Sequence, residues 1–221
     1  MRASALCQWR KHRLCQALLR LVAVGILCAG PLRAQADWRL LGTFDEATVA
    51  TQTTTTGPLR VRATRTLPID CAAVVAALQD VPSFSRWVEF TGWDVVVDER
   101  AGGGALTMHG QHGMPFPFSP RDYVVDYVAA RSSTQFTLTA RSSDRGPKAA
   151  NGTVRLRVHS TWAVTFAAEL AGLPRCPVSY EYDGDLGGNF PAFLLEGAFK
   201  EEGPKLLASL LTEARRREAK P

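Results

Sequence analysis

The 221-residue chain is short of the side chains that most often carry chemistry. It has four histidines, and His109 and His112 stand three apart on a predicted strand, hence on opposite faces and not as a metal pair. No serine or cysteine sits in a nucleophile-elbow or Cys-His context. The acidic groups Glu201-Glu202 and Asp183/Asp185 read as solvated faces. No catalytic residue, metal site or cofactor is therefore expected. Long apolar runs are missing too: Leu21–Gly30 supplies about ten residues, and a membrane-spanning helix needs roughly 20. There is no second domain, no repeat, and no low-complexity tract beyond Thr51 and Thr53 to Thr56.

What is present begins with an export signal. Arg2, Arg10, Lys11, Arg13 and Arg20 precede the short apolar run, and Ala34-Gln35-Ala36 offers small residues for cleavage. Residues 1–36 are read as a signal peptide and Asp37 as the mature start, which predicts a periplasmic or secreted protein. Cys28 is not a lipoprotein site, because Ile26 and Leu27 precede it. The first 36 residues hold six Lys/Arg and no Asp/Glu, so the overall +5 becomes 20 basic against 21 acidic residues, a net −1. Nothing in that balance supports nucleic-acid binding. Of five cysteines only Cys71 and Cys176 remain, either a disulfide in an oxidising compartment or two small apolar side chains.

The most strongly patterned stretch is the last. Gly187-Gly188-Asn189 turns into Phe190-Pro191, with Asn as N-cap and Pro in the first helical turn. Phe193, Leu194, Leu195, Phe199, Leu206, Leu207, Leu210 and Leu211 follow at helical spacing, and Arg215, Arg216 and Arg217 close the helix where its dipole favours cations. Gly203-Pro204 is expected to bend it. Ahead of it, residues 37–58 form a lead-in, Leu59 to Thr66 a strand, Cys71 to Gln79 a helix capped by Asp70, and Pro82 to Trp87 a shorter helical piece. Strands are then predicted at Trp93–Glu99 and Leu106–His112 around Gly102-Gly103-Gly104, at Arg121–Arg131 and Thr134–Arg141, at Asn151–Ala167 and at Pro177–Leu186. Within Asn151–Ala167, Val154, Leu156, Val158, Trp162, Val164 and Phe166 share one face, and Arg155, Arg157, His159 and Thr161 the other. One face is buried and one wet, as antiparallel sheets allow. The predicted class is α+β: a curved antiparallel sheet of about six or seven strands wrapped around a long C-terminal helix, a helix-grip fold.

Extrapolating the alternation, the concave face collects Trp93, Phe118, Tyr123, Tyr127, Phe136, Trp162, Tyr180 and Tyr182, with Phe190 and Phe193 from the helix. Met108 and Leu194 complete the expected lining. Several Tyr and Trp tips in one interior describe a small-molecule site, mostly apolar with a few polar contacts. A solid aromatic core is the competing reading. Arg121-Asp122 is read as pinning the start of its strand, with Asp122 on the outer face, in preference to an acid–base pair or ligand clamp. Asn151-Gly152-Thr153 fits a glycosylation sequon but is read first as a turn.

Three segments carry a resemblance. Met114-Pro115-Phe116-Pro117-Phe118-Ser119-Pro120-Arg121-Asp122-Tyr123-Val124 resembles the Pro-aromatic-Pro and Arg-Asp-aromatic-Val signature of START domains, the lipid-transfer modules of the SRPBCC (Bet v 1-like) superfamily. Asn151-Gly152-Thr153-Val154-Arg155 through Trp162 is similar to the family's Gly-x-Val-Arg and Trp pattern. Val178-Ser179-Tyr180-Glu181-Tyr182, followed by Asp185 to Leu194, is similar to its last strand and helix start. The likeness runs from about Leu59 to Leu211, inside an expected domain of residues 59–217. It implies a tunnel for a lipid or other hydrophobic molecule and no shared catalytic residues. A monomer in transient contact with membranes is expected. Where some members place a buried Arg, this chain has Tyr127, and the preceding strand offers Met108 and His109 and no carboxylate. A charged-pair sterol site is thus not implied. The family's pairing of first and last strands implies that Cys71 and Cys176 are neighbours. Two functions are compatible with all this: a carrier that shields an apolar ligand, or a cyclase or hydrolase working in the same hollow. A third is a protein with a filled interior that acts through its surface.

Overall fold

A computed structural model describes residues 38–52, 59–88, 98–99, 105–113, 118–145, 148–149, 151–166, 174–185 and 192–219. Expectations for residues 1–36, for Trp93, for the Gly102-Gly103-Gly104 turn, for Met114 to Pro117 and for the Asn189 cap with Phe190-Pro191 lie outside these.

The lead-in is more ordered than the sequence announces. Strands β1 (Arg39–Phe44) and β2 (Ala47–Gln52) form a hairpin across Asp45 and Glu46, both at positive φ. Two left-handed residues match the right-handed twist of the strands they join. β2 then pairs with β3 (Arg60–Leu67). Helix α1 (Cys71–Gln79) starts where Asp70 accepts from the Ala72 N–H at 2.7 Å, and a short 3-10 helix (Val81–Arg86) follows. The remaining strands are β4 (Asp98–Glu99), β5 (Ala105–His112), β6 (Arg121–Arg131), β7 (Gln135–Ser142), β8 (Val154–Arg155), β9 (Arg157–Thr165) and β10 (Cys176–Asp185), before helix α2 (Ala192–Glu218).

The sheet order is β1-β2-β3-β10-β9-β7-β6-β5-β4, antiparallel throughout, with β8 pairing in parallel to the start of β6. The expected count of six or seven strands is exceeded for two reasons. The lead-in supplies β1 and β2, and the single long strand expected at Asn151–Ala167 divides at Leu156. Before that residue the chain runs beside β6, with the Leu156 N–H on the Asp122 carbonyl at 2.8 Å; after it the chain turns to β7 and β10. Gly152, at φ +81, makes the turn ahead of it.

Helix α2 packs along α1 and over β1, β2, β3 and β10. Pro204 lies inside α2, and the helix runs through it unbroken. Gly203 beside it lies close against the sheet: a Cβ there would lie 3.0 Å from Ala63 Cβ. The far end of α2 is clamped to the α1 corner. Buried Glu213 accepts from Arg216 and Arg217, and Arg217 reaches Asp80 at 2.6 Å and Ser83 at 3.0 Å. Cys71, opening α1, and Cys176, opening β10, form a disulfide with Cα atoms 5.0 Å apart. The core is formed by Val49, Val61, Leu67, Leu78, Phe136, Val164, Leu207 and Leu210, which fill the space between α1, α2 and this half of the sheet. No helix among the described residues is long and apolar enough to cross a membrane.

Candidate functional site

The register of the sheet determines what faces the interior. One row crosses six strands as Val61, Tyr182, Ser160, Ala140, Tyr127 and Leu106. Its neighbour toward α1 runs Ala63, Tyr180, Trp162 and Leu138. Its neighbour on the other side runs Gly184, Val158 and Ser142, then Val125 and Met108. Strands lie about 4.8 Å apart, so Tyr182 and Tyr127 arise roughly 14 Å from one another with only Ser160 and Ala140 between them. Large rings at both ends and small side chains in the middle make a low floor.

A wall of rings bounds that floor on the α1 side. Tyr127 meets Phe84 at 5.8 Å between centroids, Phe84 meets Trp87 at 4.8 Å, and Trp87 meets Trp162 at 6.3 Å. Trp162 then meets Tyr180 at 4.6 Å, and Tyr180 stacks on Phe199 of α2 at 6.1 Å. Edge-to-face and offset contacts of this kind add to the stabilisation from burial alone. Trp162 is 4% exposed, and the Trp87 indole N–H donates to Ser83 Oγ at 3.4 Å. Behind the wall, Phe136 pairs with Val164 near α1; on the opposite side of the floor Met108 is fully buried beside Val125.

The chain has four tyrosines, and all four share this interior. Burial raises Tyr123 far above the ordinary phenol value, with the nearby Tyr127, Tyr180 and Tyr182 adding to it. Tyr127 is raised by burial and by Tyr180. Tyr180 is pushed up to about 12 by burial, against a hydrogen bond with Ser160. Tyr182 lies flat along β10 with its hydroxyl over Gly184, where a Cβ would meet that oxygen at 2.5 Å. Only glycine leaves that space. The hydroxyls are neutral at physiological pH and can both donate and accept.

Of the residues expected to line a ligand site, the structure gathers Tyr123, Tyr127, Trp162, Tyr180 and Tyr182. Phe118 is half-buried just ahead of β6, and Leu194 is half-buried in the first turn of α2. Phe193 belongs to α2, but its side chain is outside the described set, as are Trp93 and Phe190 altogether. Sequence reasoning did not single out Phe84 and Ser160. Phe84 stands three before Trp87 in a helical piece, a spacing that signals one shared face. Ser160 continues the even-numbered inward face of β9.

No family model matches the chain, and no curated protein matches it. Solved structures do. Human StAR-related lipid transfer protein 5 aligns with a TM-score of 0.72 at 13% identity, over 98% of this chain and 100% of its own. A STAR-related lipid transfer protein from Xanthomonas axonopodis aligns at 0.66 and 19% identity, over 80% of this chain and 98% of its own. The chain has a START-like helix-grip fold. The Zhui aromatase/cyclase of a Streptomyces strain aligns at 0.50 and 16%, over 73% of this chain and 96% of its own.

On the outer face of this START-like sheet the structure adds a contact the sequence did not disclose. Asp122 is fully buried, its carboxylate held between His109, at 2.6 Å, and the Arg155 guanidinium. Asp122 and Arg155 are brought together by the parallel β6–β8 pairing, which is why Arg155 was not identifiable as a partner from spacing along one strand. His159 stands on the outer face as well, opposite Asp183 and Arg141. Among the described residues no three His, Cys, Asp or Glu side chains gather as metal ligands.

Proposed function

We propose that the protein binds a lipid or other hydrophobic small molecule between the sheet and helix α2, and carries it outside the cytoplasm. The observation that carries this reading is the inward row Tyr182-Ser160-Ala140-Tyr127, a low floor between large rings and beside a wall of aromatics. An apolar ligand placed there gains about 25 cal/mol per Å² of buried apolar surface. The START-like fold supports the same reading, since two of the aligned structures are of lipid transfer proteins. The basic, short-apolar, Ala-Gln-Ala leader supports export to the periplasm or medium, as does a disulfide joining Cys71 and Cys176. The protein acts as a monomer that contacts a membrane transiently to load and unload.

Native mass spectrometry of protein purified from its own host without delipidation tests the reading. The expected result is a bound species released on denaturation, on a chain that begins at Asp37. Bare protein that also ignores a panel of lipids would remove it.

A second reading is a cyclase-type enzyme, favoured by the fold likeness to an aromatase/cyclase. The two histidines with described side chains, His109 and His159, both face outward, so that reading would rest on the tyrosines as proton donors.

A further inference from the structure

We infer that Asn151 is a site of spontaneous covalent modification: it deamidates through a succinimide formed with Gly152, and the product loosens strand β8.

The chain has two asparagines, Asn151 and Asn189, and of these Asn151 alone is followed by glycine. The reaction needs a side-chain amide that can fold back onto the next backbone nitrogen, water around that nitrogen, and no side chain in the way. Asn151 and Gly152 are both exposed, in the turn ahead of β8. Gly152 stands at φ +81, and among the described residues no atom lies within 4 Å of where its Cβ would be. Asp183-Gly184 is the instructive contrast, a dipeptide open to the same chemistry. Asp183 is paired to Arg60 of β3 and His159 of β9, Gly184 is paired to Val158, and the Asp183 carboxylate lies 3.6 Å from the Arg60 guanidinium. A pleated strand paired on both sides cannot curl its side chain onto its own next nitrogen without breaking those pairs. The fold therefore opens one of the two sites and closes the other.

The Gly152 nitrogen attacks the Asn151 side-chain carbonyl carbon, Cγ. A new C–N bond closes the succinimide, and ammonia leaves with the proton that the nitrogen gave up. Water then opens the ring at either carbonyl. Opening at Cγ leaves aspartate. Opening at the main-chain carbonyl leaves isoaspartate, in which the backbone runs through the former side chain. Either product adds a negative charge, so a chain beginning at Asp37 goes from 20 basic and 21 acidic residues to 20 and 22, a net −2.

Isoaspartate also lengthens the main chain by a methylene just ahead of a strand only two residues long. β8 is held by the Val154 N–H on the Pro120 carbonyl at 3.0 Å and by Arg155 on the carboxylate of fully buried Asp122. A longer turn shifts Arg155 against Asp122, and a buried carboxylate that loses a charged partner destabilises the fold.

The test ages the mature protein for several days at mildly alkaline pH, where more of the Gly152 amide is ionised, then reduces it and digests it with trypsin. Cleavage after Lys148 and Arg155 releases Ala149–Arg155. Mass spectrometry is expected to find this peptide unmodified in fresh protein and increasingly converted from amide to acid on ageing, with a share labelled by isoaspartyl methyltransferase. The peptide Cys176–Lys200 is expected to carry no isoaspartate at Asp183 while the protein is folded, and to acquire it when the chain is aged in urea. Asn151→Gln, whose longer side chain closes the corresponding ring far more slowly, should keep its urea midpoint on ageing while that of the wild type falls. An unchanged Ala149–Arg155 peptide, a glycan on Asn151, or isoaspartate forming equally fast at Asp183 in the folded protein overturns the inference. A wild-type midpoint that ages no faster than that of Asn151→Gln overturns the link to β8.

Discussion

Three tyrosines, Tyr123, Tyr127 and Tyr180, hold their protons more tightly in the folded protein than in the unfolded chain, where a phenol titrates near 10.0. Their folded values are raised, so the stability they contribute is complete below about pH 10 and is lost as pH climbs through that value toward the folded ones. Spectrophotometric titration should therefore show the phenolates of Tyr123, Tyr127 and Tyr180 appearing only with the alkaline unfolding transition, and cooperatively. A gradual rise centred near 10 would mean that the rings are exposed. Trp162 makes a different demand. It touches Trp87 and Tyr180 and is 4% exposed, so Trp162→Ala should cost about 3–5 kcal/mol in urea unfolding, and a loss under about 1 kcal/mol would put it on the wrong face. The inward direction of Trp162 and of the three tyrosines was legible from alternation along single strands. The partner of Asp122 was not, because Arg155 reaches it through a parallel pairing between segments some thirty residues apart, which no local periodicity encodes.

Elements differ in how openly the sequence writes them. The last helix is plain from its leucine spacing and terminal arginines, and it forms as Ala192–Glu218. The β1–β2 hairpin is hidden because its turn uses Asp45-Glu46 where Asn-Gly or Gly-Gly would have marked it. Glu46 in a left-handed conformation is strained, and its carboxylate bonded to Arg65 helps hold it there. The fracture of the long strand at Leu156 is equally silent, since the inward and outward faces stay in phase across it. Between elements, the Cys71–Cys176 bridge joins the start of α1 to the start of β10 across 105 residues of sequence. Closing so long a loop restricts the unfolded chain, so Cys71→Ser/Cys176→Ser should lower stability by about 2–4 kcal/mol, read as a lower urea midpoint. Reduction of the wild-type protein should give the same loss, and wild-type stability that ignores reductant would show the bridge to be absent in solution.

At the scale of the molecule, the described residues form a ten-strand sheet with α2 over β1, β2, β3 and β10 and α1 against β7, β9 and β10, and the small-residue floor runs from β10 across β9 and β7 to β6. The order of strands around the sheet follows from hairpins and from the pairing of β3 with β10, and that pairing was implied by the family resemblance and not by any feature of the strands themselves. Strand pairing between distant segments is set by which apolar faces find each other on collapse, and composition along one strand does not name its partner. The position of the small-residue floor follows from that pairing. If a ligand occupies it, the ligand touches both the sheet and α2 and binds only the folded chain, so it must stabilise the whole unfolding unit. At a concentration about 100 times its dissociation constant it adds roughly 2.7 kcal/mol, which for a domain of this size raises the melting temperature by about 5–10 °C. Hydrogen exchange separates this from attachment at the surface. An interior ligand should slow exchange together in α2, β9 and β10, whereas protection confined to the exposed Leu40 on edge strand β1 would place the ligand outside the grip.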